Sequence, residues 1–295
     1  TKYQIGGFQR IGEGARPSNV TLENGGQVRM NLTQSFDDGF VRLSFKHLDD
    51  HTPTFMPTPV RFVNGSIQTR PGFDPRTDAF YNAGFPLDAT LTANNGKATS
   101  NVRDGLSAKS DAFGVQFDLG LGNGIRLQNN FRWAKNSGRF IGIFPGDDPH
   151  AAPAGTTYAV GAKAGQAYAG DFFTTALFNT KVDDASLTAD DLKVSRRFDL
   201  GAGATLTALG GLYLSQQKLN ITWSFNQYNL SASGSHATVL NVPSAPNGDP
   251  IWGGCCMNTQ DSKYGTTAPY AVLTYESGGL TVDGSVRQDR NRASG

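Results

Sequence analysis

The sequence has no long apolar run, no surplus of charge of either sign and only two cysteines. No stretch approaches the roughly 18 to 20 consecutive apolar residues of a membrane-spanning helix, and the mean hydropathy is polar at -0.37. The 26 basic and 25 acidic residues leave a net charge of +1, so charge recruits no nucleic acid. These absences exclude a helical membrane protein, the charge balance identifies no partner, and two cysteines are too few for a disulfide framework.

Motifs that carry chemistry are absent as well. The sequence contains no phosphate loop, dinucleotide fingerprint or nucleophile elbow. Adjacent acidic residues such as Asp183 and Asp184 point to opposite sides of a strand, and spacing alone cannot show the convergence that a catalytic pair needs, so solvated loop acids are the favoured interpretation. We therefore expect no enzyme, no cofactor and no metal site. The histidines are scattered without metal-ligand spacing: His47, His51, His150 and His236.

Glycine and aromatic residues are abundant and lie in short alternating runs. The 36 glycines, 19 phenylalanines and 9 tyrosines favour turns and strands over helices. Apolar and polar side chains alternate from Gly25 to Phe36, and after Asp37-Asp38-Gly39, a tight hairpin signal, they alternate again from Phe40 to Asp49. Every second residue of such a strand faces the same side. The apolar side of this hairpin carries Val28, Met30, Leu32, Val41, Leu43 and Phe45.

Three further hairpins repeat this pattern and turn at Gly120 to Gly124, Gly201 to Gly203 and Ser277 to Gly279. With a lone strand from Tyr3 to Arg10 they give about nine strands of about 9 to 12 residues, close to the ~9 to 11 residues that a tilted strand needs to cross a bilayer. The strand pairs are 112–119 with 125–133, 187–200 with 206–214, and 267–275 with 280–287.

The connections between these hairpins are long, in contrast to the turns inside them. They cover about 60 residues from Asp50 and about 50 from each of Asn136 and Gln216, whereas structureless connections above ~12 to 15 residues are uncommon in compact domains. Short turns at one end and long loops at the other are typical of outer-membrane barrels. The sequence therefore predicts an all-β fold, a transmembrane antiparallel β-barrel segment with short periplasmic turns and long extracellular loops.

Two features qualify this prediction. About nine strands cannot close a barrel in lipid, because each unpaired backbone group at an open edge costs several kcal/mol. We therefore expect residues 1–295 to be an internal part of one larger barrel domain. In addition, Arg196 shares a side with Leu192, Val194 and Phe198. It lies close enough to the turn to reach the membrane interface, and a β-bulge that shifts the register is the alternative.

Several stretches resemble the barrel strands of TonB-dependent receptors. They are Gly6-Gly7-Phe8-Gln9-Arg10, Gly25-Gly26-Gln27-Val28-Arg29-Met30-Asn31, Gly39-Phe40-Val41-Arg42-Leu43, Trp223-Ser224-Phe225-Asn226-Gln227-Tyr228 and the hairpin from Ala268 to Arg292. The resemblance implies a 22-stranded barrel in the bacterial outer membrane, an N-terminal plug domain, and energised uptake of a scarce solute such as a siderophore or carbohydrate. It also implies TonB as a partner, bound through a region outside this segment, since no plug, TonB box or terminal aromatic strand is present in these 295 residues.

Two sets of residues are candidates for contact with a solute. The polar sides of the strands predict wall residues of a hydrated lumen, and the long loops are rich in aromatic residues that can stack on planar or sugar ligands. Packing of the loops against one another is the alternative role of these aromatics. The wall candidates are Arg29, Arg42, Lys46, Arg126 and Arg132, and the aromatic candidates are Trp223, Phe225, Tyr228, Trp252, Tyr81 and Phe140.

Cys255 and Cys256 are adjacent in a predicted extracellular loop. Oxidising conditions there would allow a strained vicinal disulfide, with free thiols as the alternative. A soft metal site that adds Met257 is disfavoured, because no histidine is near.

Two other functions share parts of this pattern. A passive porin has the same wall chemistry with fewer strands and no plug. A secreted β-rich carbohydrate-binding or hydrolytic protein would instead be a soluble, compact monomer. The partners expected for the receptor are outer-membrane lipid, TonB and an unidentified small solute.

Overall fold

The structure is a computed structural model that describes residues 1–55, 59–91, 96–232, 236–250 and 257–295. Strands account for 71% of it, and no α-helix occurs within these ranges. The expectation of an all-β fold is therefore confirmed. None of the described segments forms a helix long and apolar enough to cross a membrane.

The described residues form nineteen strands and one 3-10 turn at Val102–Asp104. The strands are β1 (Lys2–Gly12), β2 (Glu23–Phe36), β3 (Gly39–Thr52), β4 (Val60–Val63), β5 (Ser66–Thr69), β6 (Leu87–Leu91), β7 (Lys97–Asn101), β8 (Leu106–Gly122), β9 (Ile125–Pro145), β10 (His150–Ala151), β11 (Thr157–Tyr158), β12 (Asp171–Asp184), β13 (Leu187–Gly201), β14 (Ala204–Ser231), β15 (Leu240–Asn241), β16 (Asp249–Pro250), β17 (Asn258–Ser277), β18 (Leu280–Arg287) and β19 (Arg290–Ser294).

Thirteen of these strands form one large antiparallel sheet. Its main path runs β1, β2, β3, β8, β9, β12, β14, β17, β18, and β13 continues the line of β12 between β9 and β14. Neither β1 nor β18 has a second strand neighbour among the described residues, so the path is open at both edges. Three small two-stranded sheets lie in the long connections. Two are the hairpins β4 with β5 and β6 with β7, and the third, β11 with β15, joins two different connections.

The four predicted hairpins are all present, with two-residue turns. Asn123 and Gly124 have φ of 51° and 73°, and Ala202 and Gly203 have φ of 53° and 77°. Two successive positive φ angles are the signature of the turn that matches the twist of paired strands. These turns all lie at one end of the long strands, and the described parts of the long connections 53–105, 146–170 and 232–257 lie at the other end.

The two faces of the large sheet differ in polarity as the alternation predicts. Register places Val28, Met30 and Leu32 on one side, beside the apolar residues of β1 and β3. These three side chains are 39%, 44% and 46% exposed, so no second layer of described protein covers them. We call this side the apolar face. It continues across the sheet through Tyr3, Ile5, Leu43, Phe45, Phe113, Trp133, Leu192, Val194, Leu212, Leu214, Leu273, Tyr275, Val282 and Val286, all more than a third exposed.

Polar side chains also occur on the apolar face. Arg196 lies there, and the pairing of β13 with β14 shifts register only between Asp199 and Gly201, so no bulge turns Arg196 to the other side. Asn129 is buried on this face and donates a hydrogen bond of 2.5 Å to Asp190. Asn129 therefore has a hydrogen-bond partner on this face, and the Arg196 guanidinium lies over an aromatic ring.

The predicted lengths of strands and connections were wrong. The strands were expected to have about 9 to 12 residues, but β9 has 21 residues and β14 has 28. The strand β12, which was not predicted at all, lies inside the connection expected after Asn136. The reason is local: in these extensions both sides carry apolar residues, such as Phe140 beside Ile141, so the period-2 signal disappears.

The long connections pack together into a hydrophobic core at the loop end of the sheet. Loop residues including Tyr81, Phe85 and Val102 pack against Ile141, Ile143, Leu177 and Leu230 of β9, β12 and β14. We call this cluster the loop core. Because β9 pairs with β8 without a register shift from Leu106↔Phe140 to Gly120↔Arg126, Ile141 lies on the same side of the sheet as Leu127. The loop core therefore covers an extension of the apolar face.

Candidate functional site

The side of the sheet opposite the apolar face carries most of its charge; we call it the polar face. All five predicted wall residues, Arg29, Arg42, Lys46, Arg126 and Arg132, lie on it. Four of them line one groove of about 420 Å³, and Arg126 lies nearer the turns. The floor of this groove, which we call the cationic groove, is made by small residues of β8, Ala112 and Gly114.

The cationic groove contains four positive side chains and no acidic one. Arg29 and Lys46 are cross-strand partners, and Arg132 lies across β8 from them, opposite Gly114. Arg42 donates hydrogen bonds to the neutral oxygens of Thr33 and Gln116, at 3.0 and 3.3 Å. The groove is therefore polar, hydrogen-bonding and positive.

Several other cations of the polar face have acidic partners. Arg10 donates to Asp50 at 2.6 and 3.0 Å, and Lys193 lies 3.0 Å from Asp191. Arg126 contacts Asp118, and it also lies 3.2 Å from Asp38. No ion pair joins Arg29, Arg42, Lys46 or Arg132 to any acid in the part of the chain that the structure describes.

A row of aromatic rings lies on the polar face towards the loops, on β9, β12 and β14, and shares only β9 with the cationic groove. Phe144 and Phe178 have centroids 4.5 Å apart, Phe178 and Phe225 are 4.6 Å apart, and Trp223 follows at 6.4 Å. Phe140 lies on the same side, next to Gly142. The four phenylalanines are half-buried and Trp223 is exposed. We call these five residues the aromatic row.

The structure brings three of the aromatic candidates, Trp223, Phe225 and Phe140, into this row. Sequence reasoning missed Phe178, which stands at the middle of the row, because β12 was taken as part of a connection. The signal that could have found it is the alternation from Phe172 through Ala176 and Phe178 to Thr180, which is weak because the intervening residues are also partly apolar.

Tyr81 and Tyr228 lie elsewhere, inside the loop core. They are 2% and 5% exposed, so neither ring is open to a solute. The Tyr81 hydroxyl donates to the carbonyl oxygen of Ile141 and contacts the Thr54 hydroxyl. Burial raises the pKa of Tyr81 to about 12. Their placement corresponds to the packing role that the sequence left open.

A fully buried carboxylate connects the loop core to the sheet. Asp88 accepts hydrogen bonds from the side-chain amides of Asn179 and Asn226, each at 2.7 Å, and from the Tyr228 hydroxyl at 2.8 Å. A buried carboxylate is tolerated when it receives several such bonds. Asp88 therefore holds the β6–β7 hairpin against β12 and β14.

Some predicted residues are not described by the structure. Trp252, Cys255 and Cys256 lie outside the described residues, so the vicinal disulfide stays a prediction. Within the described ranges, no group of three or more histidine, cysteine or acidic side chains could hold a metal ion. No protein-family model matches the chain, and no curated protein matches it either.

Proposed function

We propose that this chain is part of a closed transmembrane β-barrel in the bacterial outer membrane, belonging to a TonB-dependent receptor that takes up a scarce solute. The observation that carries the proposal is the uncovered apolar face, which extends over β1, β2, β3, β8, β9, β13, β14, β17 and β18. Membrane lipid is the partner that this surface requires.

The energetics of the apolar face favour lipid over water. Removing one large aliphatic or aromatic side chain from water is favourable by roughly 1.5 to 3 kcal/mol. The face carries well over a dozen such side chains, whereas contiguous apolar patches on soluble monomers rarely exceed a few hundred Å². A bilayer covers the face without a second protein layer, and the opposite, charged face then lines a hydrated interior.

The open edges of the sheet support closure by further strands. β1 and β18 would expose unpaired N–H and C=O groups to lipid, and each such group costs several kcal/mol. In the proposed barrel these edges pair with strands outside residues 1–295. The turns then lie on the periplasmic side, the loop core lies outside the cell, and the aromatic row lies between the exterior and the cationic groove.

Active uptake, rather than passive diffusion, is supported by the resemblance of the strands to TonB-dependent receptors. The strands that carry it are β1, β2, β3, β14 and β17 with β18. In this mechanism the loops and the aromatic row capture the solute, a plug outside this segment moves when TonB pulls, and the polar face lines the route to the periplasm.

The proposal is tested by expressing the full-length gene and following the protein through cell fractionation. We expect it in the outer-membrane fraction, with electrophoretic migration that changes on boiling. Recovery as a water-soluble monomer would contradict the barrel. Uptake of the solute should stop when TonB is deleted or the proton-motive force is dissipated, and uptake that continues would identify a passive porin instead.

A further inference from the structure

The shape of the cationic groove defines what it can hold. Lys46 on β3 and Arg132 on β9 are separated by β8, which places their strands about 10 Å apart at the usual spacing between neighbours. Between them β8 contributes Ala112 and Gly114 to the floor, and the small Ser44 side chain lies over Gly114. Small residues between long cations leave a space into which all the cationic groups can turn.

The charge of the groove is not balanced by the described protein. Two unit charges of the same sign 4 Å apart repel by about 1 kcal/mol in bulk water and about 4 kcal/mol at the effective dielectric constant near a protein surface. The sheet pairs several of its other polar-face cations, such as Arg10 with Asp50 and Lys193 with Asp191. Among the described residues, the groove is a place on this face where several cations lie together without an acid.

We infer that the cationic groove binds the anionic group of the solute, a polycarboxylate or phosphate. This inference rests on the proposed function and narrows its solute class. Arginine and lysine supply charge-assisted hydrogen bonds to such oxygens, and the half-buried Asn31 and Ser44 at the groove add neutral donors. A groove of about 420 Å³ lies in the size range of small-molecule sites.

Calorimetric titration of the purified full-length protein in detergent tests the inference, with citrate, inorganic phosphate and glucose as probes. We expect citrate or phosphate to bind and glucose not to bind at this site. Lys46→Gln and Arg132→Gln should each weaken anion binding about tenfold, the loss of one charge-assisted hydrogen bond. Lys46→Arg and Arg132→Lys keep the charge, so their anion affinities should stay within about threefold of that of the wild type.

Arg197→Gln is the matched control, because it removes one positive charge from the same face near the turn at Ala202 and away from the groove. It should leave anion affinity unchanged. Equal affinity in the wild type and the groove variants would overturn the inference. So would failure of both anions to bind, the result expected if an acidic segment elsewhere in the polypeptide already fills the groove.

Failure of the inference can be separated from failure of the proposed function. Each variant is checked for recovery in the outer membrane and for heat-modifiable migration before titration. A protein that passes both checks and binds no anion contradicts the anionic solute alone. A wild-type protein that fails both checks contradicts the barrel.

Discussion

The guanidinium of Arg196 lies 5.0 Å from the centroid of the Phe198 ring, and both side chains project from the apolar face. Phe198 is nearer the turn, so the cation rests over an aromatic ring close to the end of the hairpin. A cation over an aromatic face gains about 0.5 to 1 kcal/mol at exposed sites. This contact explains how a charged residue is accommodated among Leu192, Val194 and Phe198.

The position of Arg196 leads to a prediction about depth in the membrane. Leu192 lies on the same face, four residues farther from the turn. In the proposed barrel, Leu192→Arg should cost roughly 2 to 4 kcal/mol, because an arginine near mid-bilayer is not solvated, whereas Arg196→Leu should change stability by less than about 1 kcal/mol. Urea titration of the full-length protein in phospholipid vesicles measures both. Equal, small effects at the two positions would argue against lipid contact.

The turn between β13 and β14 should be stabilised by glycine at position 202. Ala202 has φ of 53°, a region that costs an L-residue roughly 1 to 2 kcal/mol. Ala202→Gly removes that cost but gives the unfolded chain more freedom, so the net stabilisation should be about 0.5 to 1 kcal/mol. Gly203→Ala, where φ is 77°, is the opposite change and should destabilise. Equilibrium unfolding in urea compares the two, and the same sign for both would contradict this reading of the turn.

Removal of the Asp88 carboxylate should loosen the loop core. Asp88→Ala leaves the donors of Asn179, Asn226 and Tyr228 buried without an acceptor, and each such donor costs about 1 to 3 kcal/mol. We expect faster proteolysis within residues 53–105 and a lower Tm. The exposed Asp148→Ala is the control for loss of a loop carboxylate and should behave as the wild type. Unchanged protease resistance in Asp88→Ala would show that this carboxylate does not hold the loops in place.

Tyr81 should make the loop core sensitive to alkali. Its pKa is about 12 in the folded protein and 10.0 ordinarily, so the unfolded state loses the phenol proton first. The stability from Tyr81 is therefore complete below pH 10 and decreases between pH 10 and pH 12, by roughly 3 kcal/mol in total at 1.36 kcal/mol per pH unit.

Thermal melts from pH 8 to pH 12 test this prediction by comparing the wild type with Tyr81→Phe. The variant lacks the phenol, so its stability should fall less over the same pH range. Parallel curves for the two proteins would show that other groups cause the alkaline transition.

Gly142 should be intolerant of a side chain. A Cβ there would lie 2.8 Å from a ring carbon of Phe144 and 2.9 Å from one of Phe140. Gly142→Ala should therefore push the aromatic row apart and cost about 1 to 3 kcal/mol. In Gly284→Ala the new Cβ meets nothing within 4 Å, so this strand glycine is the matched control. Similar stabilities of the two variants, measured by urea unfolding, would contradict the packing of the row.

The parts of the fold that were predictable are those where one side of a strand differs from the other. Around Val28 and Arg29 the alternation is clean, because the two side chains have different surroundings, and the hairpins and faces follow from it. Around Ile141 and Phe178 both sides are partly apolar, since loops cover one side and aromatic rings pack on the other. The extensions of β9 and β14 and the whole of β12 were missed for that reason.

The candidate site was predictable to the same extent. The alternation of side chains along each strand predicted that Arg29, Lys46 and Arg132 lie on one side of the sheet. Their shared groove also depends on Gly114 lying between them, and that placement requires the pairing of strands far apart in sequence. Tyr81 and Tyr228 could not be assigned to the loop core from sequence, because burial of a loop ring depends on how the loops fold together.

The unequal lengths of the strands give the mouth of the proposed barrel an uneven height. β14 has 28 residues and β3 has 14, and the difference of 14 residues corresponds to about 45 Å along the strand at ~3.3 Å per residue. The wall of the proposed barrel therefore extends much farther at β14 than at β3. A large solute that approaches from the side of β3 would contact the rings of Phe225 and Trp223 on β14 before it enters the lumen.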